Sequence, residues 1–143
     1  MEVFFTPSKY PIPIVNKIPL HSKINPLKEQ QLFLKEEEKN HPLIIFGLGF
    51  GYHLPQNKDE KNPVLVVEPN LELYQAFLKN KPFPTYPTIF TQSLEEFLPF
   101  LQQFFKNAHL KNLVIKIHQP SFKAFGPIYQ PYLAIAQQFQ EQG

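Results

Sequence analysis

The chain has no cysteine, no tryptophan and no arginine, and each gap removes a class of chemistry or packing. Without cysteine there is no disulfide, no thiolate metal ligand and no thiol nucleophile. Without tryptophan the core has to be filled largely by Phe, Leu and Ile. Without arginine the planar fork that grips phosphate or carboxylate is missing, and all 14 basic residues are lysines, which act as point charges. They are scattered among 12 acids for a net charge of +2. No run is dense enough to neutralise several phosphates together, so nucleic acid is not expected as a partner. No stretch approaches the ~18 consecutive apolar residues of a membrane span. The start, Met1-Glu2-Val3-Phe4-Phe5, carries an acid where a secretory signal has positive charge. The expected location is the cytoplasm.

What is present is a globular composition. The hydrophobic fraction is 43%, with 15 Phe and 6 Tyr. At 143 residues one domain is expected over 1–143, able to bury about two-thirds of its unfolded surface. The 16 prolines are about twice the average usage and stiffen the connections between periodic segments.

Along the chain, residues 1–20 hold two short apolar pieces, Val3–Thr6 and Ile12–Ile18, cut by Pro7, Pro11, Pro13 and Pro19. Proline confines them to an extended arm, edge strands or a small hairpin. Asn25 as cap and Pro26 as first residue predict a helix to about Lys39, with Glu36-Glu37-Glu38 as a solvated face. The continuous apolar runs Leu43–Phe46 and Val64–Val67 suit parallel strands covered on both faces. After the second, Asn70 caps a helix with the face Leu71, Tyr74, Phe77 and Leu78. A third strand, Thr88–Thr91, leads to a helix opened by Ser93-Leu94-Glu95-Glu96 at capping-box spacing. Its stripe is Leu94, Phe97, Leu98, Leu101, Phe104 and Phe105, with Pro99 inside. A fourth strand, Leu113–Ile117, precedes a last helix, Pro127–Phe139.

Alternating strands and helices predict an α/β fold over residues 21–143: a Rossmann-like, methyltransferase-like three-layer α/β/α arrangement whose mainly parallel sheet has the core order 3-2-1-4. Ligands then belong at the carboxyl edge, near the switch point between strands one and four.

Gly47-Leu48-Gly49-Phe50-Gly51 stands at that edge, where glycines permit a tight turn and close approach of a ligand. Glu68 ends strand two, 21 residues after Gly47, the place of a carboxylate that accepts from ribose hydroxyls. The spacing G-x-G-x-G favours S-adenosylmethionine-dependent methyltransferases over dinucleotide-binding dehydrogenases. Two features depart from the methyltransferase pattern: Ile45 stands where an acid is common, and Tyr52-His53-Leu54 runs into Pro55 and the polar stretch Gln56–Asn62, which stunts the following helix. The candidate cofactor-binding set is Gly47, Gly49, Gly51, Tyr52, His53, Glu68 and His118, with S-adenosylmethionine or a sugar nucleotide as ligand. The alternative is a tight turn with only a structural role.

His21, His41, His53, His109 and His118 are nowhere paired at i, i+3 or i, i+4, and no metal site is expected from that spacing. His53 and His118 belong at the carboxyl edge, as acid–base groups or as polar residues of the rim. Ser22 and Ser121 lack a nucleophile elbow, and no catalytic residue is assigned.

Three segments carry a family resemblance: Leu20-His21-Ser22-Lys23-Ile24-Asn25-Pro26-Leu27-Lys28-Glu29, Phe46-Gly47-Leu48-Gly49-Phe50-Gly51-Tyr52-His53-Leu54, and Val67-Glu68-Pro69-Asn70. Together they resemble the amino-terminal region of the motility accessory factor-like proteins. This is a bacterial family assigned as glycosyltransferases, linked to flagellin glycosylation and to an MptE-like pterin pyrophosphokinase domain. His118-Gln119-Pro120-Ser121 with Phe125, Pro127 and Tyr129 is similar to the family's strand-four loop, so the likeness spans about Leu20 to Tyr132. It implies a non-catalytic, Rossmann-like amino-terminal part of a longer protein, whose partner is a downstream catalytic domain or another protein. Transferase activity is not expected of this chain alone.

Overall fold

The computed structural model describes residues 1–55, 61–81 and 83–143. The proline-rich start is a small antiparallel sheet of β1 (Glu2–Phe5), β2 (Pro11–Val15) and β3 (Ile18–Pro19), in that order. Val15 pairs with Ile18 across Asn16 and Lys17, which lie at φ 50 and 66. Two consecutive left-handed residues make the tight hairpin turn whose twist suits antiparallel strands. Ile12, Val15 and Leu20 from this segment are buried.

The single helix predicted from Pro26 to Lys39 is broken. A 3-10 turn at Pro26–Lys28 runs into α1 (Glu29–Phe33), Leu34 is extended, and Glu36–Glu38 form a second 3-10 turn. Two local interactions end the helix. Leu34 turns inward to a buried position, and the Glu38 carboxylate accepts from the Lys35 amide at 2.9 Å, opening a new capped turn. Nor does the Asn25 side chain cap the first turn; the Ser22 hydroxyl accepts from the Ile24 and Asn25 amides instead. Glu38 also departs from a freely solvated acid, since it pairs with Lys116 at 3.1 Å.

Next come β4 (Leu43–Phe46), β5 (Val64–Val67), α2 (Leu71–Asn80), β6 (Thr88–Phe90), α3 (Leu94–Phe104), β7 (Val114–Ile117), α4 (Gln119–Phe125) and α5 (Gln130–Glu141). The four strands form an all-parallel sheet in the order β6-β5-β4-β7. Alternation along β4 and β5 divides the core. Leu43, Ile45, Val64 and Val66 face one side, where the amino-terminal sheet, the glycine turn and Leu73 and Phe77 of α2 cover them. Ile44, Phe46, Leu65 and Val67 face the other, against Phe97 and Leu101 of α3 and Ala136 and Phe139 of α5. All eight strand side chains are buried, each worth ~1.5–3 kcal/mol relative to exposure.

The helices differ from their predicted faces in detail. Asn70 caps α2 by accepting from the Leu73 amide at 3.0 Å. Leu73 and Phe77 are its buried residues, whereas Leu71 and Leu78 are exposed. On α3 the stripe holds at Phe97, Leu101 and Phe105 while Leu94 and Leu98 face solvent; Ser93 makes no side-chain cap. The predicted last helix is two pieces, a 3-10 turn at Gly126–Tyr129 and then α5. The short helix α4 before them had no sequence signal beyond Pro120 in its first turn.

Candidate functional site

The turn after β4 lies beside the end of β5, as parallel pairing of Phe46 with Val67 requires. The backbone turns sharply here, with Gly47, Gly49 and Gly51 at φ 104, 50 and 84. The following segment, up to Pro55, makes hydrogen-bonded turns but no helix; of the polar stretch beyond it, residues 56–60 lie outside the described residues.

Glu68 is completely buried. One of its oxygens accepts from the Leu48 amide at 3.0 Å, the other from the Asn70 amide at 3.1 Å, and the Tyr129 hydroxyl reaches both at 2.9 and 3.1 Å. Burial pushes its carboxyl up to about 7, and these three donors pull it back only in part. A carboxylate so enclosed ties the glycine turn to α5's entry. Both oxygens of the carboxylate read as a ribose acceptor are here engaged by protein donors.

His21 occupies the turn from the other side. Its Nε2 accepts from the Phe50 amide at 2.8 Å, and its Nδ1–H donates to Glu29 at 2.8 Å. The second Glu29 oxygen takes the Ser22 amide at 2.7 Å. A Cβ on Gly49 would overlap His21 Nε2, so the missing side chain makes room for the imidazole. Gly47 does the same for the β7–α4 junction, where a Cβ would stand 2.7 Å from Ser121 Cβ and 2.9 Å from His118 Cβ. Tyr52, another of the cofactor candidates, is buried and donates its hydroxyl to the Pro11 carbonyl at 2.6 Å. It fastens the turn to the amino-terminal sheet.

Three histidines meet at this edge. His21, His53 and His118 are all buried, and one ring nitrogen from each lies within 4.8 Å of the others. The rings of His53 and His118 stack at 3.8 Å and 15°. Sequence spacing missed the cluster because its members come from three separate segments, not from one helical face. The usable signal was positional: His53 and His118 each follow the carboxyl end of a parallel strand.

Each ring's partner bears on its tautomer. His53 Nε2 faces the Gly47 carbonyl at 2.9 Å, which only accepts, so Nε2 carries the proton and Nδ1 a lone pair. His118 Nδ1 lies 2.6 Å from the Ser121 hydroxyl, which can accept from an Nδ1–H; in that arrangement His118 Nε2 holds a lone pair. Among the described residues, His53 Nδ1 and His118 Nε2 are buried polar atoms without a hydrogen-bond partner.

Burial disfavours the charged imidazolium. It takes His53 down to about 3, with the neighbouring His21 adding to the effect and the Gly47 carbonyl opposing it. His118 lies well below its ordinary value for the same first reason, followed by His53 and His21. A general acid or base works best with a pKa near the operating pH, and burial moves both residues away from it. What the arrangement can do is offer lone pairs: three neutral imidazoles whose opposite nitrogens are anchored by Glu29, the Gly47 carbonyl and Ser121, the anchoring seen around metal-ligating histidines. An open cleft of about 430 Å³, lined by Glu29, Phe33, His53, Lys116, His118 and Gln119 among others, borders two of the three. A second cavity, of about 200 Å³, lies between Gly51, Leu54, Phe77 and Tyr86 and, among the described residues, holds no comparable set.

No protein-family model, curated protein or solved structure matches the chain.

Proposed function

We propose that the chain is a Rossmann-like accessory domain, the amino-terminal part of a motility accessory factor-like protein, whose glycine turn packs the fold and is not a nucleotide cradle. One observation carries this reading. The Leu48 and Phe50 amides, the donors that a cofactor phosphate or ribose would need, are held by Glu68 and His21 at 3.0 and 2.8 Å. A nucleoside ligand would have to displace a buried carboxylate and a buried imidazole, and no arginine is available to replace them. The strand order and the two covered sheet faces support the Rossmann-like description. The exposed apolar residues Ile24, Leu27 and Leu32, close together in sequence at the approach to α1 and within it, suit contact with a downstream domain or a protein partner.

The test is thermal melting with S-adenosylmethionine, S-adenosylhomocysteine and sugar nucleotides. No shift is expected. A ligand at a hundredfold its Kd would add ~2.7 kcal/mol. A shift of that order, lost in Glu68→Ala, would overturn this reading in favour of a nucleoside-cofactor site of the methyltransferase kind.

A further inference from the structure

Two buried imidazole nitrogens without a hydrogen-bond partner, beside the ring of a third histidine, are costly in a protein interior, where polar groups are almost always partnered. A cation that accepts lone pairs satisfies them. We propose that His53 Nδ1, His118 Nε2 and His21 Nε2 bind one divalent transition-metal ion of the zinc class, with a further coordination position open to the cleft beside Lys116 and Gln119. This goes beyond the accessory reading and does not rest on it.

The donor set selects the ion. Neutral imidazole suits zinc, copper, nickel and iron, while magnesium and calcium take oxygen ligands. Three nitrogens without a fourth protein ligand match the open type of zinc site, in which water or a small anion completes the tetrahedron. The outer nitrogens are already held, by Glu29 at 2.8 Å, the Gly47 carbonyl at 2.9 Å and Ser121 at 2.6 Å, so His21 and His53 have the tautomers that binding requires, and the Ser121 hydroxyl can accept from His118 Nδ1–H. The cleft provides the route in.

Capture requires defined movements. Nitrogens bound at ~2.0–2.1 Å around a tetrahedral ion sit roughly 3.3–3.4 Å apart, whereas one ring nitrogen from each histidine lies within 4.8 Å of the others, so the three rings adjust to bring their donors to that spacing. A shared ion lies in the plane of each ring, so His53 and His118 splay from their 15° stack. His21 Nε2 exchanges the Phe50 amide for the ion.

The test uses the untagged full chain, stripped with a chelator and titrated with Zn²⁺, with Co²⁺ as spectroscopic probe. One ion per chain is expected. The melting transition should rise with Zn²⁺ and Co²⁺ but not with equal Mg²⁺, and Co²⁺ should show the intense visible absorption of a four-coordinate site. His53→Gln and His118→Gln should each weaken binding by about a hundredfold or more, and Glu29→Gln by about ten- to a hundredfold. His109→Gln, at an exposed histidine, should bind like the parent. Absence of both stabilisation and the Co²⁺ band overturns the proposal and leaves only water or nothing between the rings. Full affinity in the His53→Gln/His118→Gln double variant, or equal weakening by His109→Gln, overturns it as well. If the ring variants do not fold, the unsubstituted chain decides. Co²⁺-induced shifts in ¹⁵N-histidine spectra fall on His21, His53 and His118 if the site is real, and on His41 or His109 if it is not.

Discussion

Acidifying the protein from pH 8 to 3 should unfold it in two unequal stages, because its buried titratable groups act with opposite sign. His53 is held at about 3 against an ordinary value of 6.5, so the unfolded chain takes up its proton first. Its stabilisation is complete above pH 6.5 and is lost as the pH falls through 3. At about 1.4 kcal/mol per pKa unit this amounts to ~5 kcal/mol, of which ~3 goes between pH 6.5 and 4.5. Glu68 works the other way. Raised from 4.5 to about 7, it binds its proton first in the folded state and favours the fold at low pH. Falling from pH 7 to 4.5 therefore returns ~3 kcal/mol, nearly offsetting His53. His118, displaced in the same direction as His53, turns this first stage into a net loss. Below 4.5 Glu68 no longer offsets the loss from His53. A domain of this size has ~5–15 kcal/mol to lose, so the steep part of the transition should lie between pH 4.5 and 3. Urea denaturation followed by circular dichroism across this range measures it. Stability that is flat or rising below pH 4.5 would refute the claim that these rings are buried and neutral.

Other expectations concern the turn. Gly49→Ala places a Cβ at φ 50 against His21 and should cost ~2–4 kcal/mol. Gly126→Ala, at φ 65 and ψ −134 with nothing within 4 Å, should lose only the ~1–3 kcal/mol of its backbone conformation. Calorimetry measures both, and a Gly49→Ala loss under ~1 kcal/mol would contradict the seating of His21 on the turn. Tyr129→Phe removes a donor that serves both Glu68 oxygens. It should cost ~1.5–3 kcal/mol above pH 7, where the carboxylate is charged, and less at pH 5; urea midpoints at the two values read the difference. The nucleotide and metal titrations above complete the set.

Much of the framework was legible because it depends on local pattern. The unbroken runs Leu43–Phe46 and Val64–Val67 read as buried strands, and both are strands in a parallel sheet. Asn70 read as a cap, and its side chain accepts from Leu73. The break in the helix predicted to Lys39 was not legible, since inward burial of Leu34 and the Glu38–Lys35 contact overrode a periodicity that by itself favours continuation. For Glu68 the position was legible and its protein partners were not: a carboxylate at the end of a strand looks the same in sequence whichever donors meet it.

The histidine cluster marks the boundary between the two kinds of information. Sequence by itself determined that any metal site here would lack thiolates, that arginine could not grip a phosphate, and that glycines would turn the chain after Phe46, because these follow from residue identity and short-range sterics. Only the tertiary structure decided that His21, 32 residues from His53 and 97 from His118, would fill the hollow those glycines leave, because parallel pairing of β4 with β5 and β7 brings distant loops to one edge. Proximity of that kind is set by sheet order and packing, which no local spacing records.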